Sequence, residues 1–371
     1  PHRSRDLDQK ELLHRFFIRT DRSHFPADLR LQIERLEQER ALLDQKYEAQ
    51  VMREMENPRT TYVHRRGNYL DRGAQVQPGV PGCLPSPSQP RNRLALARWL
   101  VSPQHPLTAR VTVNRYWQHY FGTGLVATAD DFGRQGAWPS HPQLLDNLAV
   151  TFVESGWDVK AMHRKIVNSA TYRQSSDVGA EAYAIDPANR LLARGPRTRL
   201  PAEQIRDNAL AIAGLLSTKF GGQSVYPPQP EGILEEKGQL QYHPAWVTSS
   251  GENRYRRGLY VYWKRMHLYP SLATFGASTR ERCTVKRSVS NTPLQALVLL
   301  NDPVFVEAAR NFGRQILLHA GPGTEERIDY ALTRCVGRPA TPEEKSRYAQ
   351  FVHEQTERFT ADPTRAAEWI D

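Results

Sequence analysis

Beyond residue 91 the sequence is a succession of stretches in which apolar residues recur three or four apart, most of them ended by glycine or proline. That pattern constrains the chain to stacked amphipathic helices. The clearest stretch runs from Ser140 to Gly156, with Leu144, Leu145, Leu148, Phe152 and Val153 on one stripe and Ser140 as its expected cap. Arg91 to Val101 presents Leu94, Ala97, Leu100 and Val101, and Leu107 to Phe121 stops at Gly122. Asp158 is placed to cap a helix burying Val159, Met162, Ile166 and Val167. Pro201 and Glu203 open another that carries Ile205, Leu210, Ile212 and Leu216 and is closed by Gly221 and Gly222. Four more are expected in the last hundred residues: Pro293 to Leu300 capped by Ser290 or Asn291, Val304 to His319 capped by Asp302, Glu325 to Val336, and one opened by a Thr341/Glu344 capping box.

The remainder is less regular. Leu29 to Met55 has helical spacing at Leu31, Ile33, Leu36, Leu42 and Leu43, as a long exposed helix or half of a helical hairpin would. Prolines 58, 78, 81, 85, 87 and 90 mark an extended connector, with a short extended segment between Tyr62 and Leu70. Residues 222–255 are loop-like, and Leu259 to Trp263 alternates as a strand does. The fold class is therefore mainly α: a helical domain with a small β hairpin or sheet and long Pro/Gly-rich loops. Three segments follow: residues 1–58 as a helical arm or the end of a preceding domain, 59–90 as the connector, and 91–371 as the helix-rich domain.

With 371 residues and 39% hydrophobic content the chain can bury a core. No run approaches the roughly 20 apolar residues of a transmembrane helix, and residues 1–20 lack the apolar centre of a signal peptide. The sequence opens on Pro1, as a processed or truncated chain would. A net charge of +10 favours polyanionic neighbours. Three scattered cysteines give no disulfide framework, no cysteine zinc site and no haem-attachment pair, leaving room for one disulfide at most.

Phosphate-loop, H-E-x-x-H, G-x-S-x-G and S-x-x-K patterns are absent. Gly122 to Ala127 matches the dinucleotide G-x-G-x-x-[GA] spacing but follows a helix, so a helix-ending glycine turn accounts for it better. Two constellations remain. In the first, Arg115 and His119 share a helix face, and His141 with Asp130 and Asp131 follow closely. These residues are the catalytic candidates, with a histidine exchanging protons and an aspartate orienting it. The structural alternative has Arg115 pairing an aspartate to hold the loop. In the second, nine Lys or Arg residues fall between Gly251 and Ser290 against only Glu252 and Glu281. Its candidate ligand-binding residues are Arg254, Arg256, Tyr260, Tyr262, Trp263, Arg280, Arg282 and Arg287, a mixture suited to stacking on sugars while holding sulfate, carboxylate or phosphate. A solvated surface with a tyrosine-rich inner face explains it equally well. His105, His163, His243 and His267 are isolated and show no metal-ligand spacing, so no metal site is assigned.

Five ordered motifs carry a family resemblance: Leu107-Thr-Ala-Arg-Val-Thr-Val-Asn-Arg-Tyr-Trp117, Phe121-Gly-Thr-Gly-Leu-Val126, Asp131-Phe-Gly133, Pro139-Ser-His-Pro142 and Ser290-Asn-Thr-Pro-Leu-Gln-Ala-Leu297. Together they resemble the planctomycete-specific PSD-type domain over about residues 60–350. Ala331 to Pro339 and Thr341 to Glu344 resemble its C-terminal element. Phe275-Gly276-Ala277 departs from the Phe-Asp-Ala-Pro of relatives, so no carboxylate role carries over there. The resemblance implies an exported, extracytoplasmic polypeptide ending in this domain. It implies no cofactor in this segment, with haem in an upstream cytochrome c domain, and partners among other domains or subunits of an envelope assembly. It establishes no reaction. The expected function is a binding or assembly module engaging acidic or sulfated polysaccharide or a partner domain. The alternative is an enzyme, a polysaccharide-directed hydrolase or a redox component, and nucleic-acid binding ranks last because no recognition motif accompanies the charge.

Overall fold

The structure, a computed structural model, describes residues 25–43, 51–86, 92–230, 246–264 and 267–370. The parts of the expected arm, connector and loop that fall at 1–24, 44–50, 87–91 and 231–245 lie outside the described residues, as does His243. The described residues contain fourteen α-helices and one two-stranded sheet. They fall into two compact units, the first ending at Pro81 and resuming up to Leu96, the second comprising Gly82–Ser86 and the chain from Ala97 onward.

In the first unit, helix α1 is Ala27–Leu43, with Leu31 and Leu36 exposed. Residues 51–55, expected to continue it, are not helical. Strands β1 (Thr61–His64) and β2 (Arg72–Val76) pair antiparallel, with Thr61 opposite Val76 and a register shift between Tyr62 and His64. The turn between them needs the left-handed region: Arg66 has φ 49° and Gly67 φ 74°. Helix α2 (Arg93–Leu100) contains the boundary between the two units.

The second unit begins with a three-helix core. Helices α3 (Thr108–Phe121), α4 (Pro142–Glu154) and α5 (Val159–Val167) bury Val113 and Trp117, Leu145, Leu148 and Phe152, and Met162 and Ile166. Each full burial of such a side chain is worth about 1.5–3 kcal/mol. Gly122, at φ 77°, ends α3 by donating its N–H to the Gln118 carbonyl at 2.8 Å. Asp158 caps α5 through the Ala161 N–H at 2.9 Å. The cap of α4 is His141 rather than Ser140, because Pro142 occupies the first helical position, and the Ser140 hydroxyl turns to the Leu125 carbonyl.

Short helices α6 (Ala170–Arg173) and α7 (Ala180–Ile185) lead to α8, Ala202–Ile212. Helix α8 stops at Gly214, φ 72°, well before the expected Gly221 and Gly222, because Leu215 and Leu216 fold back to donate to the Leu210 carbonyl. Residues 259–263, expected as a strand, form instead a 3₁₀ turn at Gly258–Tyr260 and one isolated parallel bridge, Val225 to Val261. The pairing cannot lengthen: Pro227 and Pro228 lack N–H donors, and Gly258 is pressed against the Glu203 backbone, where a Cβ would lie 2.9 Å from the Glu203 carbonyl oxygen. The sheet expected there is the β1–β2 hairpin, inside the segment read as a connector.

Helices α9 (Pro270–Thr274), α10 (Pro293–Asn301) and α11 (Pro303–His319) complete a second core around Tyr269, Leu272, Phe275 and Phe305. Thr292 is the N-cap of α10, in place of Ser290 or Asn291, and its N–H donates to Gln295 Oε1 at 3.3 Å. Asp302 caps α11 through the Val304 N–H at 3.0 Å. Helix α10 turns its polarity inside out: Gln295 is buried while Leu294, Leu297 and Leu300 are exposed. Helices α12 (Thr324–Val336), α13 (Pro342–Ala361) and α14 (Pro363–Ile370) end the described chain, and α13 opens on the expected Thr341/Glu344 box. Glu344 accepts both Arg338 Nη atoms at 2.7 and 2.8 Å, which with the Thr341 N–H holds its pKa down to about 2. Among the described residues no helix is long and apolar enough to cross a membrane.

Candidate functional site

Asn114 sits in the first constellation but serves the fold. It is fully buried, its Nδ2 donates to the Val126 carbonyl at 3.1 Å, and its Oδ1 accepts the Val126 N–H at 2.8 Å. The amide thus supplies both partners that a buried strand-like residue requires. Gly124 makes room for it: a Cβ there would lie 2.5 Å from Asn114 Nδ2 and 2.6 Å from the Val126 carbonyl oxygen. The glycine spacing that mimics a dinucleotide fingerprint is therefore one helix stop and one packing glycine. Arg190 reinforces the loop by donating to the Gly124 carbonyl at 3.1 Å.

The catalytic candidates do not hydrogen-bond or ion-pair with one another. Asp131 uses Oδ1 to accept its own turn's Gly133 N–H at 2.7 Å, and Asp130 is exposed. His141 contacts the Ser140 hydroxyl at 3.0 Å. Among the described residues no hydrogen bond or ion pair joins His119, His141, Asp130, Asp131 or Arg115 to another of the five. The expected pairing of Arg115 with an aspartate is accordingly not formed.

His119 has other neighbours. Desolvation lowers its pKa first, and the charges of Arg115, Arg287 and His163 push it the same way. Arg287 comes from the second constellation, so charge from both sequence clusters acts on this imidazole. His163, read as isolated, is part of the same group: its Nδ1 lies 3.1 Å from the Tyr120 hydroxyl, and its ring is 4.8 Å from that of Tyr116.

Arg287 is held by Glu203 on α8, with Nη1–Oε2 2.7 Å and Nη2–Oε1 3.0 Å. Burial alone would raise the Glu203 pKa. The Arg287 hydrogen bonds, the helix backbone and the charges of Arg287 and Arg280 outweigh it and hold the carboxyl below its ordinary value. The Arg280 guanidinium lies 4.1 Å from the centre of the Trp263 ring, and Arg280 adopts φ 62°, a costly conformation for a side-chain-bearing residue. Arg282 is exposed. Arg115, His119, Arg280, Arg287 and Trp263 thus include residues from both constellations, linked through His119, Glu203 and Trp263, and among the described residues no contact ties the Arg282 side chain to them.

The rest of the second constellation is engaged by the protein itself, with Arg256 buried and Arg254, Tyr260 and Tyr262 half-buried. Arg256 is 2% exposed; its Nη1 donates to the Gln223 carbonyl at 3.1 Å, its Nη2 to the Lys219 and Gly221 carbonyls, and it stacks on Tyr260 at 3.8 Å. Arg254 and the Tyr255 hydroxyl both bind Glu307, at 3.0 and 2.7 Å. Tyr262 stacks on Tyr226 at 5.0 Å.

Several organising residues have no place in the sequence-derived set. Arg206 is 1% exposed and donates to the Arg256 and Arg254 carbonyls at 2.6 and 3.0 Å, with Asp207 at 3.9 Å. Its signal is legible in retrospect, since Ala202, Arg206 and Leu210 repeat at four-residue spacing and put an arginine in an apolar stripe. Arg199 donates to Gln295 Oε1 at 3.1 Å and to the Ser290 and Phe275 carbonyls, while Gln295 Nε2 donates to the Thr274 carbonyl at 2.9 Å. That explains the glutamine of the Ser290–Leu297 motif as a cross-link in addition to its capping role.

Among the described residues no cluster of three or more His, Cys, Asp or Glu is placed to hold a metal ion, and Cys83, Cys283 and Cys335 are all free. No curated protein and no solved structure matches the chain. A family model does: PSD1, described as a protein of unknown function (DUF1553), matches residues 92–352. That span is well over half of the chain and takes in the Asn114 latch, the Arg206 and Gln295 cross-links and the cationic residues around His119, so the chain belongs to the PSD1 family of proteins of unknown function.

Proposed function

We propose that this chain is a binding module that holds anionic groups of an acidic or sulfated polysaccharide on the residues around His119, in an extracytoplasmic envelope protein. The observation that carries the reading is a set of cations drawn from segments far apart in sequence, with Arg287 bound to Glu203, Arg280 stacked on Trp263 and Arg115 exposed on α3. The charges of Arg115 and Arg287 both lower the His119 pKa. Glu203 answers only part of that charge, and it holds Arg287 by a two-point contact that fixes its direction. Trp263 under Arg280 supplies an aromatic surface beside the cations. The envelope setting and the association with further domains rest on the motif resemblance.

Isothermal titration with dextran sulfate and with unmodified dextran tests the proposal. The double variant Arg115→Glu, Arg280→Glu is expected to weaken dextran sulfate binding at least tenfold. Arg347→Glu, Arg358→Glu, the same charge change on exposed positions of α13, is expected to alter it less than threefold. Equal losses in the two variants, or equal binding of dextran, would reduce the effect to overall charge and overturn the reading.

A further inference from the structure

A polar cavity of about 420 Å³ lies beside this cationic group, lined by Tyr120, Tyr172, Gln174, Ser176 and Arg197 among others. Its size falls within the roughly 300–1,000 Å³ of small-molecule sites. Tyr120 directly follows His119, and His163 bears on both, so the cavity and the charged residues share the C-terminal end of α3. The wall is tightly built: the Gly195 N–H donates to the Ser175 carbonyl at 2.7 Å, and a Cβ on Gly195 would come within 2.6 Å of the Gln174 carbonyl oxygen.

The lining has a specific chemistry. The Tyr120 and Tyr172 rings meet edge to face at 5.6 Å, and Tyr172 is 36% exposed. Gln174 commits its Nε2 to the Leu192 carbonyl at 2.8 Å, which leaves its Oε1 to accept. Arg197 donates Nε to the Ser176 hydroxyl at 3.3 Å, and among the described residues no carboxylate pairs with its guanidinium. Hydroxyls able to donate and accept, one amide acceptor, one aromatic ring and one guanidinium are the complement of a sugar ring. Vicinal hydroxyls meet the hydroxyls and amide, the C–H face meets the tyrosine, and a single carboxylate meets the arginine. An inorganic anion would use only Arg197, and a nucleobase would need two flat apolar faces where the cavity wall is polar.

We infer that this cavity is a subsite for one uronic acid residue of a glycan, deepening the polysaccharide reading on which it rests. Saturation-transfer NMR with methyl glucuronide, methyl glucoside and acetate tests it on the full chain. Methyl glucuronide is expected to bind at least tenfold more tightly than methyl glucoside or acetate. Arg197→Ala and Tyr172→Ala should each weaken it at least tenfold, with Arg197→Lys retaining part of the affinity and thermal unfolding confirming that the variants fold. Glucuronide binding unchanged in folded Arg197→Ala and Tyr172→Ala variants overturns the assignment. Dextran sulfate titration separates the two ideas. Polymer binding with no glucuronide binding removes the subsite alone, whereas loss of both removes the polysaccharide reading as well.

Discussion

The core of α3, α4 and α5 and the region organised by α8 occupy the same compact unit, yet they close by different means. Around Phe152 the helices meet through apolar stripes, with Asn114 as the buried polar cross-link between helix and loop. Around α8 the chain has little regular hydrogen bonding between segments, and guanidinium groups take its place: Arg206 and Arg256 donate to five backbone carbonyls between them. Arginine suits this because it presents several donors in a fixed plane and stays charged when buried. The comparison shows two routes to the same requirement, that buried backbone groups find partners.

The largest effects are expected from cutting each region at its centre. Phe152→Ala should cost about 3–5 kcal/mol by the lost burial and the cavity left behind. Arg206→Met should cost a comparable ~3–5 kcal/mol, because it strands two buried carbonyls and removes the positive charge facing Asp207, Asp302 and Glu307. Urea unfolding measures both; an Arg206→Met penalty below ~1 kcal/mol would show that α8 does not need its guanidinium. Gly124→Ala tests the Asn114 latch and is expected to destabilise by about 1–3 kcal/mol, since the new Cβ meets the Asn114 amide and the Val126 carbonyl. A loss near zero would mean that the loop can move away.

The smallest effect concerns pH. Burial and the charges of Arg115 and Arg287 hold the pKa of the free His119 imidazole below its ordinary value. A bound anion favours the imidazolium, so binding takes up a proton and should tighten as pH falls below 6.5 toward the lowered value. Calorimetry of dextran sulfate binding between pH 5 and 7.5 checks the sign, and His119→Gln should flatten most of that dependence. A dependence unchanged in the variant would overturn the assignment to His119.

The contrast between the two regions also explains what the sequence made legible. Helical periodicity is a property of near neighbours, and it located α3, α4, α5, α11, α12 and α13 to within a few residues. Caps were less secure where several candidates adjoin, as at Ser140 with His141 and at Asn291 with Thr292, because the proline position decides among them. Leu259 to Trp263 alternates as a strand should, but alternation says nothing of the partner, and Pro227 and Pro228 forbid an extended one. The basic and aromatic composition of residues 254–287 did not separate Arg256, sealed inside, from Arg280 and Arg282 at the surface. The action of the Arg287 charge on His119 depends on tertiary closure and leaves no local trace.

Helix α8 has one further consequence. Within about one turn it carries Glu203, which fixes Arg287, and Arg206 and Asp207, which fix the backbone at Arg254, Arg256 and Gly258. The rotamer of Arg287 is therefore settled when the chain folds, before any ligand arrives. Immobilising a long side chain during association costs about 0.5–1.5 kcal/mol. Folding has already met that entropy, so an anion held there as proposed would not have to supply it, and a weak electrostatic contact would count almost in full toward affinity.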